Sequence, residues 1–244
     1  MIGNVVEVID VWKMFRLYRG RSNMLKEVFI NIFRGGDHYD EFWALKGISF
    51  SVQKGESVGI IGRNGAGKST IFKLMSGIMT PDRGEIKIKG MISPLIELEA
   101  GLHPELTGLE NIYLNGAIYG MNKKTVDEKL EEIIDFSGLG QFIYSPIRTY
   151  SSGMHARLGF SLAVNVNADI LLIDEVLAVG DTEFREKCFD KIKQLKRNGV
   201  TIVYVSHNLK SVADICDRAI WLDRGEIKIQ GKPQVVREEY LKTV

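Results

Sequence analysis

The sequence predicts an α/β protein: a core of buried parallel strands, an antiparallel β region near the N-terminus, and a helical segment in the middle. Three observations predict it. The stretch "GRNGAGKST" (62–70) joins the apolar strand-like run "SVGIIG" to the helical run "TIFKLMSGI". Farther on, "ADILLIDE" and "VTIVYVSH" are nearly continuous β-branched runs, as strands buried on both faces should be. Between residues 105 and 165 the apolar spacing turns helical.

Taken in order, "VVEVIDVWKMF" alternates as a strand. An insertion over about 19–42 follows, in which "SNMLKEVFINIF" sets Met24, Leu25, Val28, Phe29, Ile32 and Phe33 on one helical face. Ser22 is placed to cap it. Lys13, Arg16, Arg19, Arg21, Lys26 and Arg34 surround that helix, against Glu27 alone on the acidic side. Such a helix either packs on its own domain or lies on a membrane surface or a membrane-embedded partner. "FWALKGISFSVQKGESVGIIG" reads as two strands joined by a turn at Lys54, Gly55 and Glu56. The helix after the glycine-rich stretch has Ile71, Leu74, Met75 and Ile78 at helical spacing, and "GEIKIKG" is a further alternating strand. In "TVDEKLEEIIDFSGL", Val126, Leu130, Ile133 and Ile134 share one helical face, and "ARLGFSLAVNV" is a second helix. "EFREKCFDKIKQLKRNG", ending at Gly199, is the helix between the two buried strands, which makes a βαβ unit. "RAIWLDRGEIKIQG" reads as a hairpin. The whole, 1–244, is expected to form a single domain with its helical part at about 100–165.

Composition narrows the class. The 244 residues are 45% hydrophobic and 26% charged with a net charge of +1, which is an ordinary globular balance and gives no global sign of nucleic-acid binding. Cys188 and Cys216 have no metal-type or CxxC spacing and read as buried thiols in a reducing compartment. No apolar run reaches the roughly 18 residues that a membrane span needs. "MIGNVVEVIDVWK" carries acids where a signal peptide would want lysines. The chain is therefore expected to be cytoplasmic and not to cross a bilayer itself.

The glycine-rich stretch fits G-x-x-x-x-G-K-[ST], with Gly62, Gly67, Lys68 and Ser69 at the fixed positions. A glycine-rich loop opening a helix curls its N–H groups toward phosphate oxygens, so Arg63, Asn64, Gly65, Ala66 and Thr70 join the nucleotide-binding candidates. Lys68 brings a charge to the β- and γ-phosphates and Ser69 a hydroxyl to Mg²⁺. Asp174, leaving a buried strand beside that loop, can hold Mg²⁺ directly or through water. Glu175 can then orient and deprotonate the attacking water. His207, at the end of the "VSH" strand, can reach the γ-phosphate. His38, His103 and His155 carry no such case.

"YSSGMHARLGFSLAV" completes the pattern. Tyr150 to Met154 resembles the signature LSGGQ of the ATP-binding-cassette (ABC) ATPases, with Ser152 and Met154 in place of a glycine and the glutamine. Phosphate loop, signature, "ILLIDE", "AVGD" (178–181) and "VSH" follow one another in that family's order across nearly the whole chain. The resemblance implies a phosphate-loop NTPase fold with a RecA-like parallel core, an antiparallel β subdomain and an α-helical subdomain. It implies ATP and Mg²⁺ as ligands, with Ser151, Ser152 and Gly153 reaching the ATP of a second copy of the chain in a head-to-tail dimer. It puts Asp181 in the loop that communicates between cassettes, and Phe15 against adenine, with Trp12, Tyr18 and Trp43 as competitors. It asks for a glutamine that senses Mg²⁺ where this chain has "IELEAG". Glu97 is the first choice for that place, with Leu98 and Glu99 open. "LELEAGLHPELTGLENIYLNGAIYG" and "YSSGM" further resemble the Wzt-like ATP-binding subunits that export O-antigen, capsule or teichoic acid. That implies a polytopic transmembrane permease as partner, no nucleic acid, and a place on the cytoplasmic face of the inner membrane. The alternatives are a transporter ATPase for another substrate and a soluble cassette ATPase.

Overall fold

The computed structural model describes residues 3–18, 39–95, 101–174 and 181–243. Glu97, Leu98, Glu99, Glu175 and most of the basic, amphipathic insertion lie outside these residues.

Strand β1 (Asn4–Tyr18) runs antiparallel to β2 (Tyr39–Gln53), from Asn4↔Gln53 to Tyr18↔Tyr39. Val6, Val8 and Val11 are buried along it, and the register shifts at several points between Val8 and Met14. The Lys54–Glu56 turn leads into β3 (Ser57–Ile61), buried throughout. The two strands read around this turn thus enter different sheets and do not form a hairpin. Helix α1 (Lys68–Met75) follows, then β4 (Arg83–Ile88), which takes the other edge of β1. The first sheet is β2-β1-β4, all antiparallel.

Strand β5 (Ile92–Leu95) opens the second half. Helices α2 (Gly108–Ile118), α3 (Lys123–Ser137) and α4 (Ser152–Asn165) make the helical part. Strand β6 (Ile170–Ile173), α5 (Thr182–Arg197) and β7 (Thr201–Val205) form the expected βαβ unit, with β6 and β7 parallel neighbours. Helix α6 (Leu209–Ile215), the hairpin β8 (Arg218–Asp223) with β9 (Glu226–Gly231), and α7 (Pro233–Thr243) complete the described chain. The second sheet runs β5-β6-β7-β3-β8-β9, parallel except for β9.

Because strand side chains alternate between faces, the second sheet feeds two cores. Val58, Ile60, Leu172, Val203 and Val205 point toward α1 and the antiparallel sheet. Ile61, Leu171, Ile173, Ile202 and Tyr204 point toward Phe160 of α4, Phe184 and Cys188 of α5 and Val212 of α6. A third core, built on Ile112, Val126, Ile133, Ile143, Tyr150, Leu158 and Leu162, belongs to the helical part. Gly59 of β3 sits where α6 crosses closest: a Cβ there would lie 2.4 Å from Cγ1 of Val212.

Among the described residues, β5, α2, α6 and α7 are elements that the sequence reading did not place individually. It also shortens one. Helix α1 stops at Met75, with Gly77 at φ 74, so Ile78 lies past the helix and is exposed. Both cysteines are buried free thiols, and burial pushes each up to about 12. Among the described residues no helix is long and apolar enough to cross a membrane.

Candidate nucleotide-binding site

The loop 62–67 forms because β3 must turn sharply into α1. Gly65 and Gly67 have φ of 79 and 106, a region that side chains other than glycine's rarely occupy. Gly67 is also tight: a Cβ would lie 2.7 Å from the Ala44 carbonyl oxygen. Gly225 in the β8–β9 turn braces the loop, its N–H donating to the Ala66 carbonyl at 3.0 Å. Lys68 folds back along the loop, its Nζ donating to the carbonyls of Gly62 (2.9 Å) and Arg63 (3.1 Å). The lysine is almost fully buried, and the first turn of α1 has no acid. The positive end of the helix and the ammonium therefore add, which favours an anion at this spot.

A cavity of about 400 Å³ lies over the loop, lined by Phe15, Phe42, Ala44, Asn64, Gly65, Gly67, Lys68, Ser69, Thr70 and Asp174. Phe15, from β1, thus shares a wall with the loop. Its competitors Trp12 and Trp43 instead pack on each other, edge to face at 5.6 Å, beside the Arg83 guanidinium. Gly62, Arg63 and Ala66 do not line this cavity; their carbonyls accept from Lys68 Nζ and from the Gly225 N–H. Asp174 follows β6, half-buried. His207 is exposed at the tip of β7, the strand paired directly with β3, and the neighbouring Ser206 N–H donates to the Ile60 carbonyl at 3.1 Å. Among the described residues no three His, Cys, Asp or Glu side chains converge as a metal cage. One hydroxyl (Ser69) and one carboxylate (Asp174) are a sparse donor set, which suits Mg²⁺, an ion that usually keeps several waters.

The signature residues lie elsewhere on the chain. Ser151 caps α4, its Oγ accepting from the Met154 N–H at 3.3 Å. This uses a lone pair and leaves the hydroxyl proton available to donate. A second cavity, about 640 Å³, is lined by Gly138, Leu139, Phe142, Ser151, Ser152, Gly153, Met154, Ala156, Arg157 and Asp181. Asp181 caps α5 by accepting from the Phe184 N–H at 2.9 Å, and it pairs with Arg157. The Phe184 N–H first, and then Arg157, hold its carboxyl below the usual aspartate range. Arg157 also lies 4.9 Å over the Phe184 ring. Its role escaped the sequence reading, as did those of Phe42 and Ala44. The two cavities share no lining residue.

An ABC transporter family model matches residues 45–178. The chain is 50% identical to the ABC transporter protein AbcA of Aeromonas salmonicida over 82% of its own length and 65% of AbcA's. It is 44% identical to the O-antigen export system ATP-binding protein RfbB of Klebsiella pneumoniae over 97% of both chains. To the teichoic acids export ATP-binding protein TagH of Listeria monocytogenes serotype 4b (strain F2365) it is 46% identical, over 94% of this chain and 68% of TagH. In fold it is similar to a dimeric ATP-binding cassette in a post-hydrolysis state bound to ADP and Pi, with a TM-score of 0.74 at 23% identity, covering 93% of this chain and 98% of that one. The architecture is that of such cassettes, and a family match over more than half the chain, with relatives above 40% identity along most of it, supplies the lineage: the chain belongs to the ABC transporter family.

Proposed function

We propose that the chain is the ATP-hydrolysing subunit of an exporter that moves lipid-linked cell-surface polysaccharide, of O-antigen, capsule or teichoic acid type, across the cytoplasmic membrane. The observation that carries the substrate class is the 44% identity with the O-antigen export protein RfbB, which extends over 97% of both chains. In this reading the subunit sits on the cytoplasmic face of the inner membrane, held there by a polytopic permease, and works as a pair of copies. The two disjoint cavities support the pairing: the loop face of one copy and the Ser151 face of the other would enclose one ATP from both sides.

The residues divide the work by position. Loop N–H groups and Lys68 bind the triphosphate, and Phe15 meets the base. Ser69 and Asp174 would hold Mg²⁺, with Glu97 as the reading's third contact. Bound there, the ion would neutralise phosphate charge. Glu175 takes a proton from the attacking water, and His207 orients the γ-phosphate end. From the second copy, Ser151 donates its hydroxyl, and the N–H groups of Ser152 and Gly153 face the phosphate. Asp181 fixes the start of α5 beside them.

Replacing the chain with Glu175→Gln in its own host tests the proposal. Hydrolysis should fall by roughly 10²–10⁴-fold with ATP still bound, surface polysaccharide should disappear, and its lipid-linked form should accumulate inside. Normal surface polysaccharide alongside lost ATPase activity would refute the substrate class, and near-normal turnover would remove Glu175 from the base role.

A further inference from the structure

Phe42 lines the same cavity as Lys68 and Ser69. It is the direct register partner of Phe15 across β1 and β2. Residues directly opposite on an antiparallel pair project from the same face, with Cβ atoms roughly 5 Å apart. The two rings therefore stand side by side over one cavity. Trp43, next along the strand, projects from the other face and packs on Trp12. Phe42 is 46% exposed and is not among the residues of the three cores. Ala44, two residues on and on the same face, also lines the cavity, and its small side chain leaves depth between Phe42 and the loop. The Ala44 carbonyl lies close against Gly67, which ties β2 to the phosphate loop.

We propose that Phe42 is a second base-contacting residue, forming with Phe15 a two-ring apolar floor for the adenine of ATP. Its consequence is selectivity by size. A purine is wide enough to cover both rings, whereas a pyrimidine covers one. The inference rests on the assignment of this cavity as the ATP site.

The test is binding of ATP, CTP and inorganic tripolyphosphate to the full chain, with wild type, Phe42→Ala and Phe42→Tyr. Base stacking measured by alanine substitution predicts that Phe42→Ala weakens ATP by at least about fivefold. CTP should change by less than about twofold and tripolyphosphate not at all, so the preference for ATP over CTP shrinks. Phe42→Tyr keeps the ring and should bind ATP as wild type does, which also guards against misfolding in the alanine variant. Unchanged ATP binding in Phe42→Ala overturns the proposal. So does a parallel loss for all three ligands, which would mean that Phe42 acts through the loop. Failure of tripolyphosphate to compete with ATP in the wild type would instead overturn the site assignment on which the proposal depends.

Discussion

One added carbon at Gly59 should slow hydrolysis while leaving ATP binding nearly intact. The new methyl would lie 2.4 Å from Cγ1 of Val212 and 3.2 Å from Sγ of Cys216. Carbon atoms rest at about 3.5–4.0 Å, so α6 must retreat by about 1 Å. Two terms oppose each other in stability. Overpacking costs about 1–3 kcal/mol, while replacing a strand glycine by alanine regains about 0.5–1 kcal/mol of backbone entropy. The net is a loss of about 1–2 kcal/mol, which should lower the melting temperature by a few degrees. The displacement matters more for chemistry. Helix α6 starts at Leu209, and its cap Asn208 accepts from the N–H groups of Lys210 (3.0 Å) and Ser211 (3.2 Å). The Asn208 N–H in turn donates to Ser206 Oγ at 3.0 Å. His207 lies between these two residues, so a retreating helix drags it. Helix α1 packs on the opposite face of the sheet through Ile71, Phe72, Leu74 and Met75, so Lys68 at its start should stay put. A misplacement of about 1 Å can cost up to about 10²-fold in rate. Turnover should therefore fall about 10–100-fold, with ATP affinity changed by less than about threefold. Steady-state ATPase assays, nucleotide titration and thermal melts on one preparation measure all three quantities. Gly59→Ala with Val212→Ala removes the clashing methyls and should recover most of the turnover. Wild-type turnover in the single variant, or no recovery in the double, would refute the coupling of α6 to His207.

Cysteines introduced beside Ser69 and Ser152 should crosslink two chains only when ATP is present, as read on a denaturing gel. The native Cys188 and Cys216 should stay silent, because both are buried and their thiols are pushed up to about 12. Crosslinks confined within one chain would rule out the head-to-tail pair. Asp181 gives a pH prediction. Its folded pKa is depressed, so its contribution is present above the ordinary aspartate value of 3.8 and is lost as pH falls through the lower folded value. Asp181→Asn should therefore differ most from wild type near neutral pH, and urea unfolding curves for the two should converge in strong acid. A constant difference across that range would remove the charge on Asp181 as its cause.

Short-range features of the fold were the legible ones. The phosphate loop and the individual strands and helix of the βαβ unit each depend on residues a few positions apart, where spacing is a direct physical constraint. Longer-range pairing was not. Phe42 faces the cavity beside Phe15 only because β1 and β2 align after register shifts at Val8/Val11, Val11/Lys13 and Lys13/Met14, and each shift defeats simple counting of alternate residues. Strand β5 hid behind Pro94, which is tolerated because β5 lies at the sheet edge. The ion pair of Arg157 with Asp181 spans 24 residues and two helices, so nothing local announces it.

Helix α4 belongs to two cores at once. Leu158 and Leu162 pack into the helical core, whereas Phe160, Ala163 and Val164 pack on the sheet. Lys129 grips the foot of the helix, donating to the Asn165 carbonyl and to Asn167 Oδ1. The helix is thus an axle anchored at one end, with Ser151 at the other. Its 14 residues reach about 21 Å, so a tilt of about 10° at the foot would sweep Ser151 through about 4 Å. That arc is longer than a hydrogen bond. In the proposed pair of copies such a turn would be enough to make or break a contact between Ser151 and a phosphate held by the other copy, so α4 would act as a gearing element that converts a slight rotation into an on-or-off contact.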